Sequence, residues 1–193
     1  MINLFGEEPI FNYIQLNMLD INREISKVTN CSAVDADYLS ESITHKCRIN
    51  VPKIKEGGIT FSLCMEYDQS DGHSKVAVVT YSIPFSGNGQ LFSFKPTQHH
   101  YNSIYQVDVA DHLLKFKIYT RYINLDLPDK IKEEVSYDAK RVVDWIQTSL
   151  GQLNHDCTAY NNKMERVVKE KINGRLSEIP KSKDMLEGLN PFK

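Results

Sequence analysis

The sequence lacks any apolar run near the ~20 residues that a membrane span requires, so a transmembrane helix is excluded. It has no basic flank and no long apolar core at Met1-Ile2-Asn3-Leu4-Phe5-Gly6-Glu7-Glu8, so it shows no secretory signal. Its four cysteines, at 31, 47, 64 and 157, form no CxxC and no regular spacing, which points to reduced thiols and a cytoplasmic address. It also lacks an excess of charge of one sign. With 23 basic against 25 acidic residues the net charge is -2, which is no polyanion-binding composition, though a local basic face is compatible with it. There are no internal repeats and no low-complexity segments.

What is present is ordinary for a folded soluble domain: 193 residues, 41% apolar and 25% charged. Ile10, Ile14, Met18, Ile21, Ile25 and Val28 step by three and four, one apolar stripe of a helix over 10–28 with Pro9 at its first turn. A second, shorter helix is expected over 36–43. From His45 the period turns to two, with Cys47, Ile49 and Val51 predicting a strand that stops at Pro52. Ile59, Phe61, Leu63, Met65 and Tyr67 alternate with Thr60, Ser62, Cys64 and Glu66, a half-buried strand. Asp68-Gln69-Ser70-Asp71-Gly72 is turn chemistry. Residues 76–85 are apolar on both parities, as in a strand covered on both faces. Ser86-Gly87-Asn88-Gly89 predicts a hairpin turn, with 91–94 returning as the partner strand. Strands over 104–109 and 114–120 follow the loop that holds His99-His100-Tyr101.

The last third is helical. Val142, Ile146, Leu150, Leu153, Cys157, Tyr160, Met164 and Val167 keep one three-four phase. That phase does not reset at Gly151 or Asn154-His155, which favours one helix of about 40 residues and roughly 60 Å over a helical hairpin. The expected fold is α+β: a mostly antiparallel sheet of five to six strands, an N-terminal helix and a long C-terminal helix (or helical hairpin). Residues 1–180 are read as one domain and 181–193 as a linker or truncated tail. Ile59, Phe61, Leu63 and Met65, with Leu114, Phe116 and Ile118, are the expected buried face of the sheet.

Catalytic signatures are scarce. Gly87-Asn88-Gly89 lies between strands rather than before a helix, so it is no phosphate loop. His45 and Cys47, or the His99-His100 loop, fall short of the three or four convergent ligands of a zinc site. The one (D/E)xK match, Asp138-Ala139-Lys140, sits in a charged helix rather than on a strand. No catalytic, metal or cofactor residue is assigned. Lys115, Lys117 and Arg121, with Tyr119 among them, and Lys163, Arg166 and Lys169 are the candidate nucleic-acid contacts. The helical stripe is longer than strands of ~17–20 Å can cover, so its far end, at Tyr160, Met164 and Val167, is the candidate interface of a homodimer.

The run Ser82-Ile83-Pro84-Phe85-Ser86-Gly87-Asn88-Gly89-Gln90-Leu91-Phe92 precedes a Pro96 loop and a Lys-rich strand. Trp145-Ile146, Tyr160-Asn161-Asn162 and Arg175 then follow on one long helix. Over residues 38–189 this order resembles the N-terminal region of bacterial proteins whose C-terminal part is a predicted PD-(D/E)xK, restriction-like nuclease domain. In that family the nuclease motifs come after this region, whereas this sequence ends at Asn190-Pro191-Phe192-Lys193. The resemblance implies a nuclease half outside these residues, or a stand-alone relative acting with a separate effector, and it carries over no catalytic residue. The expected function is a non-catalytic sensor, scaffold or assembly module of a nuclease-type antiphage system, with itself and an associated nuclease as partners and no membrane. The alternatives are a module delivering DNA to such a nuclease and an enzyme with an unrecognised site.

Overall fold

The computed structural model describes residues 1–6, 8–28, 33–68, 72–98 and 105–188, with side chains to 178 except those of residues 33 and 34. Cys31, most of the 68–72 turn and the His99-His100-Tyr101 run lie outside the described residues. In chain order the elements are β1 (Ile2–Asn3), β2 (Glu8–Pro9), α1 (Ile10–Ser26), α2 (Ala33–Cys47), β3 (Lys53–Ile54), β4 (Thr60–Tyr67), β5 (Lys75–Ser86), β6 (Phe94–Lys95), β7 (Gln106–Ala110), β8 (Leu113–Tyr119) and α3 (Asp129–Gly188). The fold is α+β. The chain forms two compact units, one of residues 1–10 and 50–154, the other of residues 11–49 and 155–193.

The first unit is built on a sheet in the order β1-β7-β8-β5, with β4 and β3 sharing the far edge of β5. Every pairing in it is antiparallel, with Thr60–Tyr67 against Lys75–Ser82 and Val78–Pro84 against Leu113–Tyr119. β7 turns into β8 through Asp111 and His112 at φ 50° and 59°, the left-handed pair that suits a tight hairpin. Val76, Ala77, Val78 and Val79 are all buried, as the apolar character on both parities requires. Ala77 and Val79 pack with Leu127 and Val135, the latter from the first turns of α3.

Three expectations are overturned here. The predicted strand from His45 is the end of a helix: α2 runs to Cys47, and its buried positions Ala36, Ser40, Ile43 and Cys47 follow the helical period. Nor does the 91–94 segment return beside β5, both of whose edges are already occupied. At Gly87 φ is +95° and a Cβ would fall 2.7 Å from the Val51 carbonyl oxygen, so glycine is required there. The Asn88 side chain then accepts a hydrogen bond from the Gln90 N–H at 3.0 Å, capping a 3-10 turn over Gly89–Ser93. That turn buries Leu91 and Phe92, and β6 beyond it pairs in parallel with β2. Third, Phe61 and Leu63 are exposed, although Leu114 and Phe116 on the same face are buried. The reason is position: β4 borders the sheet, and the cover supplied by Leu127 and α3 reaches Met65 but not Phe61.

α3 is one helix, as the unbroken phase favours, and it is longer than expected. It continues through Pro180 to Gly188, where a linker was expected; proline removes one ladder hydrogen bond there without ending the helix. Gly151 is exposed within it, and an added Cβ would meet nothing within 4 Å. Replacing it with alanine is therefore expected to raise stability by about 1 kcal/mol. Urea denaturation checks this, and an unchanged or lower midpoint would contradict the helical assignment at that residue.

Candidate functional site

The second unit is a three-helix arrangement of α1, α2 and the C-terminal part of α3. Ile21, Ile25, Ala36, Ile43, Cys47, Met164, Val168 and Ile172 form its core, with Met18, Leu39, Tyr160 and Leu176 packed around it. Polar ties fix the helices at its margins. The Tyr160 hydroxyl donates to Asn17 Oδ1 at 2.6 Å, and Lys171 Nζ donates to Asn22 Oδ1. The Asn161 side chain acts as a one-residue strand partner for Ile49. Its Oδ1 accepts from the Ile49 N–H and its Nδ2 donates to the Ile49 carbonyl, both at 3.0 Å. Glu24 takes hydrogen bonds from Lys27 and Lys46, joining α1 to α2, and these two ammonium groups hold its carboxyl down at about 2. Burial pushes the Tyr160 hydroxyl well up and the Cys157 thiol to about 11, so both stay protonated at neutral pH.

Between α1 and α3 within this unit a groove of about 460 Å³ stays open. Phe11, Ile14 and Leu19 line it from α1, and Tyr160, Lys163 and Val167 from α3, with Met164 at its base. Phe11 is 60% exposed and Leu19 59%. All three expected interface residues are thus at this groove, but in different states. Met164 is 1% exposed and spent on the core, whereas Tyr160 and Val167 are half-buried. The α1 half of the groove was missed. The signal for it was available, because Phe11 and Leu19 are apolar residues that fall off the Ile10–Ile25 stripe.

The first unit carries a cleft of about 370 Å³ on a face of its sheet, lined by Thr80, Tyr105, Asp108, Lys115, Lys117 and Tyr119 among others. Lys117 Nζ donates to both carboxylate oxygens of Glu66 at 2.7 Å. Tyr119 Oη and Cys64 Sγ donate to the same carboxylate at 3.4 and 3.5 Å. Lys117 accordingly keeps the Glu66 carboxyl below its ordinary value. Asp108 is bonded to the Met1 ammonium at 3.1 Å. Two of the cleft's charges, Lys117 and Asp108, are thus paired, whereas Lys115 has no carboxylate partner among the described residues.

The six candidate nucleic-acid residues divide between the two units. Lys115 and Lys117 share the cleft, and exposed Arg121 lies just past β8. Lys163, Arg166 and Lys169 lie on α3 in the other unit. Lys117 is held by Glu66, Lys169 by Asp37 at 2.9 Å, and Arg166 faces Glu170 at 3.6 Å. Phosphate binding rests on cations free to displace counterions, and among the described residues only Lys115, Arg121 and Lys163 of the six lack a carboxylate partner. His45 is exposed and Cys47 buried on α2, two residues apart on a helix, so their side chains diverge. Among the described residues no group of three His, Cys, Asp or Glu side chains is placed to hold a metal ion, and no helix is long and apolar enough to cross a membrane.

No family model, curated protein or solved structure matches the chain.

Proposed function

We propose that this chain is a non-catalytic assembly module that forms a homodimer through the α1–α3 groove of its helical unit. The observation that carries the reading is the groove itself: Phe11 and Leu19, two turns apart on α1 and both mostly exposed, beside half-buried Ile14 and Val167. Side chains of this size lose about 1.5–3 kcal/mol each by standing in water rather than in a core. Eight residues of helix separate the pair by about 12 Å, so the α1 of a second copy laid along the groove covers both. A two-fold axis gives each copy the same cover. The proposed biological setting, a scaffold for a nuclease or effector in a bacterial antiphage system, is supported by the resemblance carried by Ser82–Phe92 and the order of elements after it.

Light scattering at micromolar concentration tests the dimer. The wild-type chain is expected at no less than twice 22.2 kDa. The double substitution Phe11→Glu and Leu19→Glu, at two exposed positions, is expected to halve the measured mass with helix content unchanged. A mass of 22.2 kDa for the wild type, or a mass indifferent to the double substitution, sinks the reading.

A further inference from the structure

Monomeric sheets guard their edges with very short strands, lysines, prolines or bulges, because an open row of N–H and C=O groups recruits another strand. One edge of this sheet obeys that rule: β1 has two residues. The other does not. β4 has eight residues, Thr-Phe-Ser-Leu-Cys-Met-Glu-Tyr, without lysine, proline or glycine. Its register against β5 is unbroken from Thr60↔Ser82 to Tyr67↔Lys75, so no bulge twists it away. No described strand pairs with its outer side. Thr60, Phe61, Ser62 and Leu63 are exposed in succession, so both faces of that half of the strand meet solvent.

A row of aromatic rings crosses the sheet and ends on this strand. Phe116 stacks on Tyr81 at 5.2 Å, Tyr81 meets Phe61 at 6.0 Å, and Phe61 is then left 73% exposed. The other exposed aromatic residue of the strand, Tyr67 at 59%, lies on the same face, because side chains six residues apart on a strand share a side.

We propose that β4 pairs with β4 of a second copy, antiparallel and two-fold, with the axis at Cys64. Residues facing one another then sum to 128 in number. Phe61 meets Tyr67 of the other copy and Leu63 meets Met65, each twice by symmetry, while Ser62 meets Glu66. Only an even sum puts like faces together. Among such registers this one places the two exposed aromatic residues opposite each other, an arrangement favoured across antiparallel strands. It extends the aromatic row by one ring on each side and opposes the strand's single charge, Glu66, with a neutral hydroxyl. A second copy is favoured over an unrelated extended peptide because the strand is complementary to itself. This contact lies on the sheet unit, and it stands whether or not the helical groove also dimerises.

The test runs in the Phe11→Glu, Leu19→Glu background, where the groove contact is removed, so that failure of the two interfaces can be told apart. Directly opposed residues have Cα atoms about 4.5–5.5 Å apart, within the span a disulfide bridges. Treatment with diamide at mildly alkaline pH, which takes two electrons and two protons from two thiols, is expected to give a covalent dimer on a non-reducing gel. Cys64→Ser should abolish it and Cys31→Ser should not. Light scattering in the same background should show a dimer that falls to half its mass with Leu63→Lys and with Phe61→Lys. Both positions are exposed in the single chain, and circular dichroism confirms that each variant keeps its fold. A chain of 22.2 kDa in that background without a Cys64 cross-link overturns the proposal, as does a dimer that neither lysine disturbs. A cross-link that forms in Leu63→Cys, Cys64→Ser but not at Cys64 overturns the register.

Discussion

Replacing Met164 with glutamate is expected to unpack the helical unit rather than to weaken a dimer. Met164 is 1% exposed and touches a core supplied by all three helices: Ile21 and Ile25 from α1, Ile43 and Cys47 from α2, and Val168 and Ile172 on its own helix. A carboxylate there has no cation within that set, and an uncompensated buried charge costs about 3–5 kcal/mol before the lost methionine packing is added. Against total stabilities of about 5–15 kcal/mol that is a large share. Hydrogen exchange should show lost protection in peptides covering Ile10–Ser26 and Ala33–Cys47. The pH dependence has a definite sign. Burial raises the pKa of the introduced carboxyl in the folded state above its unfolded value of about 4.3, so the folded state binds more protons between the two values and stability falls as pH rises. The deficit relative to wild type should therefore be smaller at pH 4 than at pH 7. Full protection in α1 and α2 at neutral pH would show that Met164 is peripheral. The same reasoning makes Phe11 and Leu19, not Met164, the residues with which to probe self-association.

The parts of this fold legible in the sequence are those in which one periodic signal ran long enough to outweigh local noise. The Ile10–Ile25 stripe marks α1 because five apolar positions repeat over four turns, and Ile21 and Ile25 are indeed buried. The helix over 142–167 survives Gly151 because the phase on either side is shared. The alternation over β4 and β8 identifies two strands and their faces correctly.

Misreadings arose where two periods overlap or where burial depends on distant parts of the chain. His45, Cys47, Ile49 and Val51 do alternate, yet Ile43 and Cys47 are also four apart, and the helical reading wins because both belong to one core with Met164 and Ile172. The extended chain at Ile49 finds its backbone partner in a side chain, Asn161, which lies 112 residues away and leaves no periodic trace. Gly87-Asn88-Gly89 has the composition of a hairpin turn, but an asparagine that can turn a hairpin can equally cap a 3-10 turn. Phe61 is apolar on the inner parity and still exposed, because parity states which face a residue takes and not whether that face is covered. The groove is a similar case. Its α3 half could be read from the surplus length of one stripe, whereas its α1 half joins Ile14 and Met18 of the other stripe to Phe11 and Leu19, which fall off it.

Phe92→Ala should be among the most damaging single substitutions in the sheet unit. Phe92 is 0% exposed and sits edge-on to Phe85, with ring centres 5.0 Å apart and planes at 82°. Among the described residues a second ring, Phe5, lies at 6.2 Å. The backbone is tied in as well: the Phe5 N–H donates to the Phe92 carbonyl at 2.6 Å, with Phe5 held at φ 48°. Phe5 in turn meets Trp145 edge-on at 5.3 Å. Truncation removes a ring from the middle of this chain of aromatics, and a buried Phe→Ala change costs about 3–5 kcal/mol in lost transfer energy and residual cavity. With m of about 1–3 kcal/mol/M in urea, the midpoint should drop by more than about 1 M. Trp145, the single tryptophan, reports the transition by fluorescence from within the affected cluster. Phe61→Ala is the matched control on the same unit: 73% exposed, it should shift stability by no more than about 0.5 kcal/mol at concentrations where the chain is monomeric. Two phenylalanines of one sheet unit then differ several-fold in their worth, because one fills the space between the Phe85 and Phe5 rings while the other stands at an open edge. Equal losses from the two substitutions would mean that β4 is covered in solution or that the Phe92 pocket closes around the smaller side chain.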